Sequence, residues 1–508
     1  VGKVIIKHND KFDGSSITPA IKQQWLSDNG WEESQVQHYS NADIEYSIAD
    51  RKNQLTDVFD LSERDFIQIE GFVFKDYKYA RNSINIYGNG NVVINNRFED
   101  IGCVPNSKWH WTMKGVKRGD VTILVSGKNN VVRNNFFQNV VGETLSYDGN
   151  SQHNIITENT FIGGIGKNSD AGGAESSTLG GRFENNNHNA FAFNYSGGSV
   201  NGGTIWLDVC VRDFVALRNV CHNTAYFMFN ESGCERNWAY ENIIYNKPLD
   251  ANGRMPADSK YFTDFRAQKI ESGLFTAFWD TGSTWDARWI NNVTYNLKNG
   301  ICLDRSYRDE VRNNISYEDS NSMYNPAETV GILIKETTIN GFHSWHGLDL
   351  KGGGPHFIEN NLWYSPRKAT YVRYMEPSQP SITVDAFNAQ INSATQLAAD
   401  PMFADIENYD FSLFENSPAK GSGYNGVDRG AYAIYPKTEV GYIDNMPLVA
   451  DVNGSFAALN TYAKPNDIVE LEIKLNKPAE KNLSFNVVPV AGDARPNKDF
   501  RFVDDTVV

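Results

Sequence analysis

No apolar run in this 508-residue chain approaches the roughly 18 residues that a helix needs to cross a bilayer. Positive charge is also in deficit. Lys and Arg number 47 against 62 Asp and Glu, for a net charge of −15, whereas a general nucleic-acid binder needs a basic footprint. Cysteine is scarce, and Cys103, Cys210, Cys221, Cys234 and Cys302 form no CxxC pair. That odd count signals neither a zinc site nor a disulfide framework, so buried thiols are the default reading. The N-terminus VGKVIIKHND lacks the layout of a signal peptide and starts on strand-like sequence, which reads as a mature or trimmed product. With 40% hydrophobic and 13% aromatic residues, the chain is still built to fold around a sizeable core. The expectation is a secreted, acidic monomer with no membrane and no nucleic-acid partner.

What the chain has in abundance is a repeat. Two or three apolar or β-branched residues, an Asn, then an aromatic or aliphatic residue recur as NVVINNRF (91–98), NVVRNNFF (130–137) and NIITENTF (154–161). Later copies include FVALRNVC (214–221), ARWINNVTY (287–295), EVRNNISY (310–317) and HFIENNLWY (356–364). Asn134 and Asn159 lie 25 apart, Asn194 and Asn219 25, Asn219 and Asn242 23, Asn292 and Asn314 22. Longer intervals carry Gly-, Ser- or charge-rich excess and read as inserted loops. A period of 22–25 with three short strands per copy is one coil of a right-handed parallel β-helix. Leu is too irregular for a leucine-rich repeat. Coils would stack at about 4.8 Å, with Asn at one phase bonding the coils above and below.

The expected fold is therefore all-β: a right-handed parallel β-helix (solenoid) over 1–436, then a small β-sandwich over 446–508. An N-terminal cap is expected over about 1–60 and a closing segment over about 375–436. The segment DPMFADIENYDFSLFENSPAKGSGYNGVDRGAY (400–432) resembles the closing element of secreted β-helix carbohydrate-active enzymes. The stretch NDIVELEIKLNKPAEKNLSFNVVPVAGDARPNKDF (466–500) alternates apolar and polar residues as sandwich strands do. It is similar to a Calx-β-type immunoglobulin-like module, reads as cut short at Val508, and would be accessory.

Two acids share one phase of the repeat. Asp208, in GTIWLD, lies 11 residues before Asn219, and Glu231, in FNES, lies 11 before Asn242. In register, their Cα atoms would stand about 4.8 Å apart on one strand face. Two carboxyl groups about 5–5.5 Å apart are what a retaining glycosidase uses, and their mutual repulsion keeps a proton available on one of them. Asp148, 11 before Asn159, could be a third acid on that face, and GICLD puts Asp304 10 before Asn314. Stacked acids could instead cap strands or hold a structural Ca²⁺ with its 6–8 oxygen ligands. Beyond that, no cofactor and no metal are expected.

The string G-x-IWLD, an acid one coil later, and then RN…EN-I resemble the catalytic segment of the β-helix β-xylosidase family, with an α-L-fucosidase-containing β-helix family as a relative. The resemblance spans about 45 residues. It implies a glycoside hydrolase in which Asp208 is the nucleophile and Glu231 the acid/base. ESGCERN departs from the aromatic and His-containing context of that family, so substrate identity does not carry over.

A basic, aromatic insertion, KWHWTMKGVKRG (108–119), offers Trp109 and Trp111 as stacking faces for sugar rings and cations for sulfate or carboxylate groups. Further substrate-binding candidates are Trp206, two before Asp208 and on the same strand face, with Arg182, His188, His222 and Arg236. The expected partner is thus a polysaccharide, anionic or sulfated such as a marine fucan or galactan, cleaved internally. Two alternatives stand beside this. A lyase would need a base such as Lys247, Arg212 or Arg236 next to a uronate. A non-catalytic β-helix would bind glycans without cutting them.

Overall fold

The computed structural model describes residues 4–6, 14–29, 33, 41, 44–45, 48, 58–75, 82–101, 121–140, 143–147, 150–163, 187–198, 203–207, 211–224, 226–231, 233–247, 272–276, 284–304, 306–335, 356–375, 380–391, 393–431, 454–456 and 473–475. Two compact units divide the chain, Val1–Pro436 and Lys437–Val508. Described residues of the second unit form an antiparallel pair, Gly454–Phe456 with Ile473–Leu475. The remainder of the expected sandwich lies outside the described residues. Among the described residues no helix is long and apolar enough to cross a membrane.

The first unit is a parallel β-helix. One wall is an eleven-stranded sheet from Val4–Ile6 to Leu362–Tyr364, and a second is a ten-stranded sheet from Gln68–Glu70 to Phe357–Glu359. The third wall comes in two pieces, four strands ending at Glu143–Tyr147 and seven starting at Ile205–Leu207. Among the described residues the coils visit the three walls in turn, and the parallel pairs keep strict register from coil to coil.

Side chains alternate in and out along each short strand, so the core is a set of columns. Phe74, Phe98, Phe137 and Phe161 stack at centroid spacings of 4.5, 4.7 and 4.8 Å, the spacing of the rungs themselves. Cys221, Cys234 and Cys302 are buried, and burial pushes the Cys221 thiol up to about 11.

The corners explain the asparagines. Two residues before seven strands of the ten-stranded sheet the backbone is left-handed: Asn129, His153, His188, Asp213, Arg236, Asp286 and Arg308 have φ of 52–58°. A second left-handed column includes Asn95, Asn134, Asn291, Asn313 and Asn360. Asn and Asp tolerate that region better than other non-glycine residues. Right after this second corner comes the ladder: Asn96, Asn135, Asn159, Asn194, Asn219, Asn242, Asn292, Asn314, Asn361 and finally Gln396. Each side-chain oxygen accepts the backbone N–H of the preceding rung at 2.9–3.1 Å. The ladder partner of Asn159 is Asn135, not Asn134; the 25-residue interval mixed a ladder position with a corner position.

A shorter ladder precedes the ten-stranded sheet through Asn91, Asn130, Asn154 and Asn189. Among later rungs Asn237 keeps the role, accepting Phe214 N–H at 3.0 Å, whereas Phe214, Ala287, Asp309 and His356 replace the asparagine. Asp309 imitates the asparagine with one oxygen, accepting from Ala287 N–H at 3.0 Å. Among the described residues its other oxygen has no hydrogen-bond partner, and it stands 3.8 Å from His356 Nδ1. Burial pushes the Asp309 carboxyl up to about 8 and the His356 imidazole down to about 4.

At the far end, Gln396 replaces asparagine in the ladder and Phe387 of the helix Val384–Gln390 packs edge-on to Trp363 at 5.6 Å. Residues 400–431 then run back along the outside of the eleven-stranded sheet. There the outward column Tyr245, Tyr295, Tyr317 and Tyr364 needs a cover. Tyr409 stacks on Tyr245 at 4.6 Å, Phe411 meets Tyr295 at 5.5 Å, and Phe403 meets Tyr317 at 5.9 Å. Asn291 Nδ2 donates to the Asp428 and Gly430 carbonyls at 3.0 and 3.1 Å.

Two outcomes follow from the ladders. Asn159→Ala removes the acceptor of Asn135 N–H and the donor to Val132 carbonyl; urea unfolding should show a loss of about 2–4 kcal/mol for two buried orphaned groups. Asp309 titrates higher folded than unfolded, so its contribution is full below about pH 4 and is lost as pH rises through about 8. Asp309→Asn restores the ladder donor without a titrating proton. Its unfolding free energy should exceed that of the native chain by an amount that grows from pH 5 to pH 8, reaching about 1–3 kcal/mol. Equal pH profiles for the two proteins would refute this assignment.

Candidate functional site

The third wall carries Glu231 and Asp304. Strand Ile205–Leu207 pairs with Tyr226–Asn230 so that Ile205 faces Met228, Trp206 faces Phe229 and Leu207 faces Asn230. Ile205, Leu207 and Met228 are fully buried in the core. Alternation therefore turns Trp206, Phe229 and the following Glu231 to the outer face. Asp208 follows Leu207 in the chain and lies outside the described residues, as do Asp148, Arg182, Trp109 and Trp111.

Glu231 is held at its backbone and at its carboxylate. Its N–H donates to Leu207 carbonyl at 2.9 Å, and its carbonyl accepts Cys234 N–H at 3.1 Å. Cys234 Sγ closes the same turn onto Leu207 carbonyl at 3.1 Å. The indole Nε1–H of Trp206 donates to Glu231 Oε2 at 2.6 Å, reaching diagonally across the strand pair, since Trp206 is opposite Phe229 and Glu231 is two residues on. Tyr226 lies edge-on to Phe229 at 5.5 Å and fills the space that a Cβ on Gly203 would need. Glu231 thus sits beside Trp206, with Phe229 two residues before it on the same strand and Tyr226 against Phe229. The sequence marked Trp206 as a sugar-facing ring; its polar edge is in fact engaged by the acid. Phe229 and Tyr226 went unmarked: they stand three apart in YFMFN, where Phe227 and Met228 are both buried, so a strict period of two does not announce them together.

Asp304 shares the column of Glu231. Thr276 pairs with both Asn230 and Leu303, so Asp304 follows Leu303 two rungs beyond Glu231, about 10 Å along the wall. Its spacing of 10 to Asn314, one less than for Glu231, is absorbed by a shorter turn. Asp304 is buried, and its N–H donates to Thr276 Oγ1 at 3.2 Å. Among the described residues no group of three His, Cys, Asp or Glu side chains converges to hold a metal ion.

The remaining candidates fall on other parts of the solenoid. His222 belongs to the eleven-stranded wall and is 1% exposed. Its Nε2 meets Tyr195 hydroxyl at 2.8 Å and its Nδ1 meets Asn223 Oδ1 at 3.3 Å. The ring lies over Gly197, where a Cβ would come within 2.1 Å of it. His188 and Arg236 are left-handed corner residues between the third wall and the ten-stranded sheet. Arg236 grips Asp213 at 2.7 and 2.9 Å and Glu235 at 3.2 Å; the Asp213 bond above all raises its proton affinity further. His188 stacks on His153 at 5.0 Å and stands 3.9 Å from Asp213. Arg212 pairs with Glu235 at 2.7 Å, and Lys247 lies 5.9 Å from the Tyr409 ring. The His188, Arg212 and Arg236 contacts tie neighbouring rungs together, whereas Lys247 faces the closing segment. They leave the two arginines, permanently protonated, poor bases for proton abstraction.

No protein-family model matches this chain, and no curated protein matches it. Among solved structures the chain is similar to PfbA, a surface adhesin of Streptococcus pneumoniae, at 10% identity and a TM-score of 0.41, over 75% of this chain and 94% of that one.

Proposed function

We propose that this protein is a secreted glycoside hydrolase that cleaves an anionic polysaccharide with retention, using Asp208 and Glu231. The observation that carries the reading is the Leu207–Asn230 register: the residues that follow these two in the chain are the two acids. Neighbouring rungs are about 4.8 Å apart, close to the separation a double displacement needs. Glu231 has a fixed backbone, a bonded carboxylate and aromatic neighbours, which suits a site that must orient a sugar and a proton together.

In the first step the Asp208 carboxylate attacks the anomeric carbon. The bond from that carbon to the leaving oxygen breaks, and Glu231 gives its proton to that oxygen. In the second, Glu231 takes a proton from water as the water oxygen attacks the same carbon, and Asp208 leaves with its electron pair. Neither step needs a metal or cofactor. The ion-paired states of Arg212 and Arg236 weigh against the lyase alternative.

The test is depolymerisation of a panel of sulfated and uronic polysaccharides, with proton NMR of the first-formed anomer. New reducing ends with retained configuration are expected. Asp208→Asn and Glu231→Gln should each lower turnover by about 10³–10⁵-fold without changing the thermal midpoint. A product absorbing in the near ultraviolet would identify a lyase instead. Tight glycan binding with no new reducing ends would identify a non-catalytic binder.

A further inference from the structure

We infer that Trp206 is the positioning residue of Glu231, fixing which carboxylate oxygen carries the transferable proton and how tightly that proton is held. This deepens the hydrolase reading and rests on it. An indole N–H can only donate. Bonded to Oε2 at 2.6 Å, it reserves that oxygen as an acceptor, so the proton that Glu231 delivers resides on Oε1. The contact is shielded: Trp206 is 8% exposed although it faces outward from the coil. Both ends of it are rigid. Trp206 lies in a strand paired residue by residue with its neighbour, and the Glu231 backbone is bonded through N–H and carbonyl to Leu207 and Cys234.

The chemistry follows from the direction of the bond. A donor to the charged form favours that form and lowers proton affinity. While the leaving oxygen takes the proton from Oε1, negative charge grows on Glu231, and the indole N–H stabilises it. In the second step Glu231 must regain a proton from water, and the same bond opposes that. Trp206 therefore speeds the first half-reaction and restrains the second. A ring that merely packed would do neither.

Trp206→Phe keeps the ring and removes the donor. The alkaline limb of kcat/KM, which reports the proton on the acid, should move up by about one pH unit, the size expected for losing a hydrogen bond to a charged group. Substrates with poor leaving groups should lose kcat/KM by about tenfold or more, while an aryl glycoside whose leaving group needs no proton is spared. An unmoved limb, or an equal loss on both substrates, would overturn the inference. A second measurement needs neither catalysis nor a Trp206 variant. The Trp206 Nε1–H resonance, followed by proton–nitrogen NMR against pH, should titrate with a carboxylate in the native chain and stay flat in Glu231→Gln. A flat native resonance refutes the contact. A titrating resonance in a protein that cuts no polysaccharide keeps the contact and rejects the hydrolase.

Discussion

The side-chain amide that bridges two rungs is the interaction on which the whole molecule depends. A parallel coil stack has three corners per turn, and every corner interrupts the backbone hydrogen bonds of a wall. Asparagine repairs the interruption because its carbonyl accepts from the rung before while its amide donates back to that rung's strand, as Asn159 does for Asn135 and Val132. Ten successive rungs, from Asn96 to Gln396, are tied this way. Buried amides left without partners would each cost about 1–3 kcal/mol, so a slip of register at any rung is penalised at once. That penalty is what makes the distance from Leu207 to Asn230 a structural constant, and with it the height at which Glu231 leaves the wall.

The corners also account for charge in places that resemble a binding site. His153, His188, Asp213, Arg236, Asp286 and Arg308 form one left-handed column, where alternating signs couple rung to rung. Asp213 with Arg236 and Asp286 with Arg308 are its pairs. Half-exposed pairs of this kind contribute little each, yet they are repulsive in any other register. Their role is to select the alignment that the ladder then holds.

Most of the solenoid was legible in the sequence because a rung is a local unit. A triplet such as VVI or VVR announces a strand, and the Asn pair after it announces corner and ladder together. That doubling also produced the one misreading of phase, where Asn134 stood in for Asn135. The level of Glu231 was legible for the same reason, as a constant offset from Asn242. What the offset could not carry was lateral information. The reach of Trp206 across to Glu231 is a diagonal contact, and His222, at a similar distance along the chain, belongs to another wall and spends both ring nitrogens there. Asp304 shows the converse: the echo of TIWLD in GICLD set it among the stacked acids despite an offset one residue shorter, and strand pairing puts it in the column of Glu231.

Residues 400–431 lie over a column of tyrosines contributed by Tyr245, Tyr295, Tyr317 and Tyr364, and Asn291 is bonded to Asp428 across 137 positions of chain. Elsewhere a rung touches only its neighbours, so the early coils can assemble as they leave the ribosome. The later coils are different. Their oily outer flank stays bare until the end of the domain has been made, which puts a sticky, half-finished intermediate late in biogenesis and makes the final thirty or so residues the step that retires it.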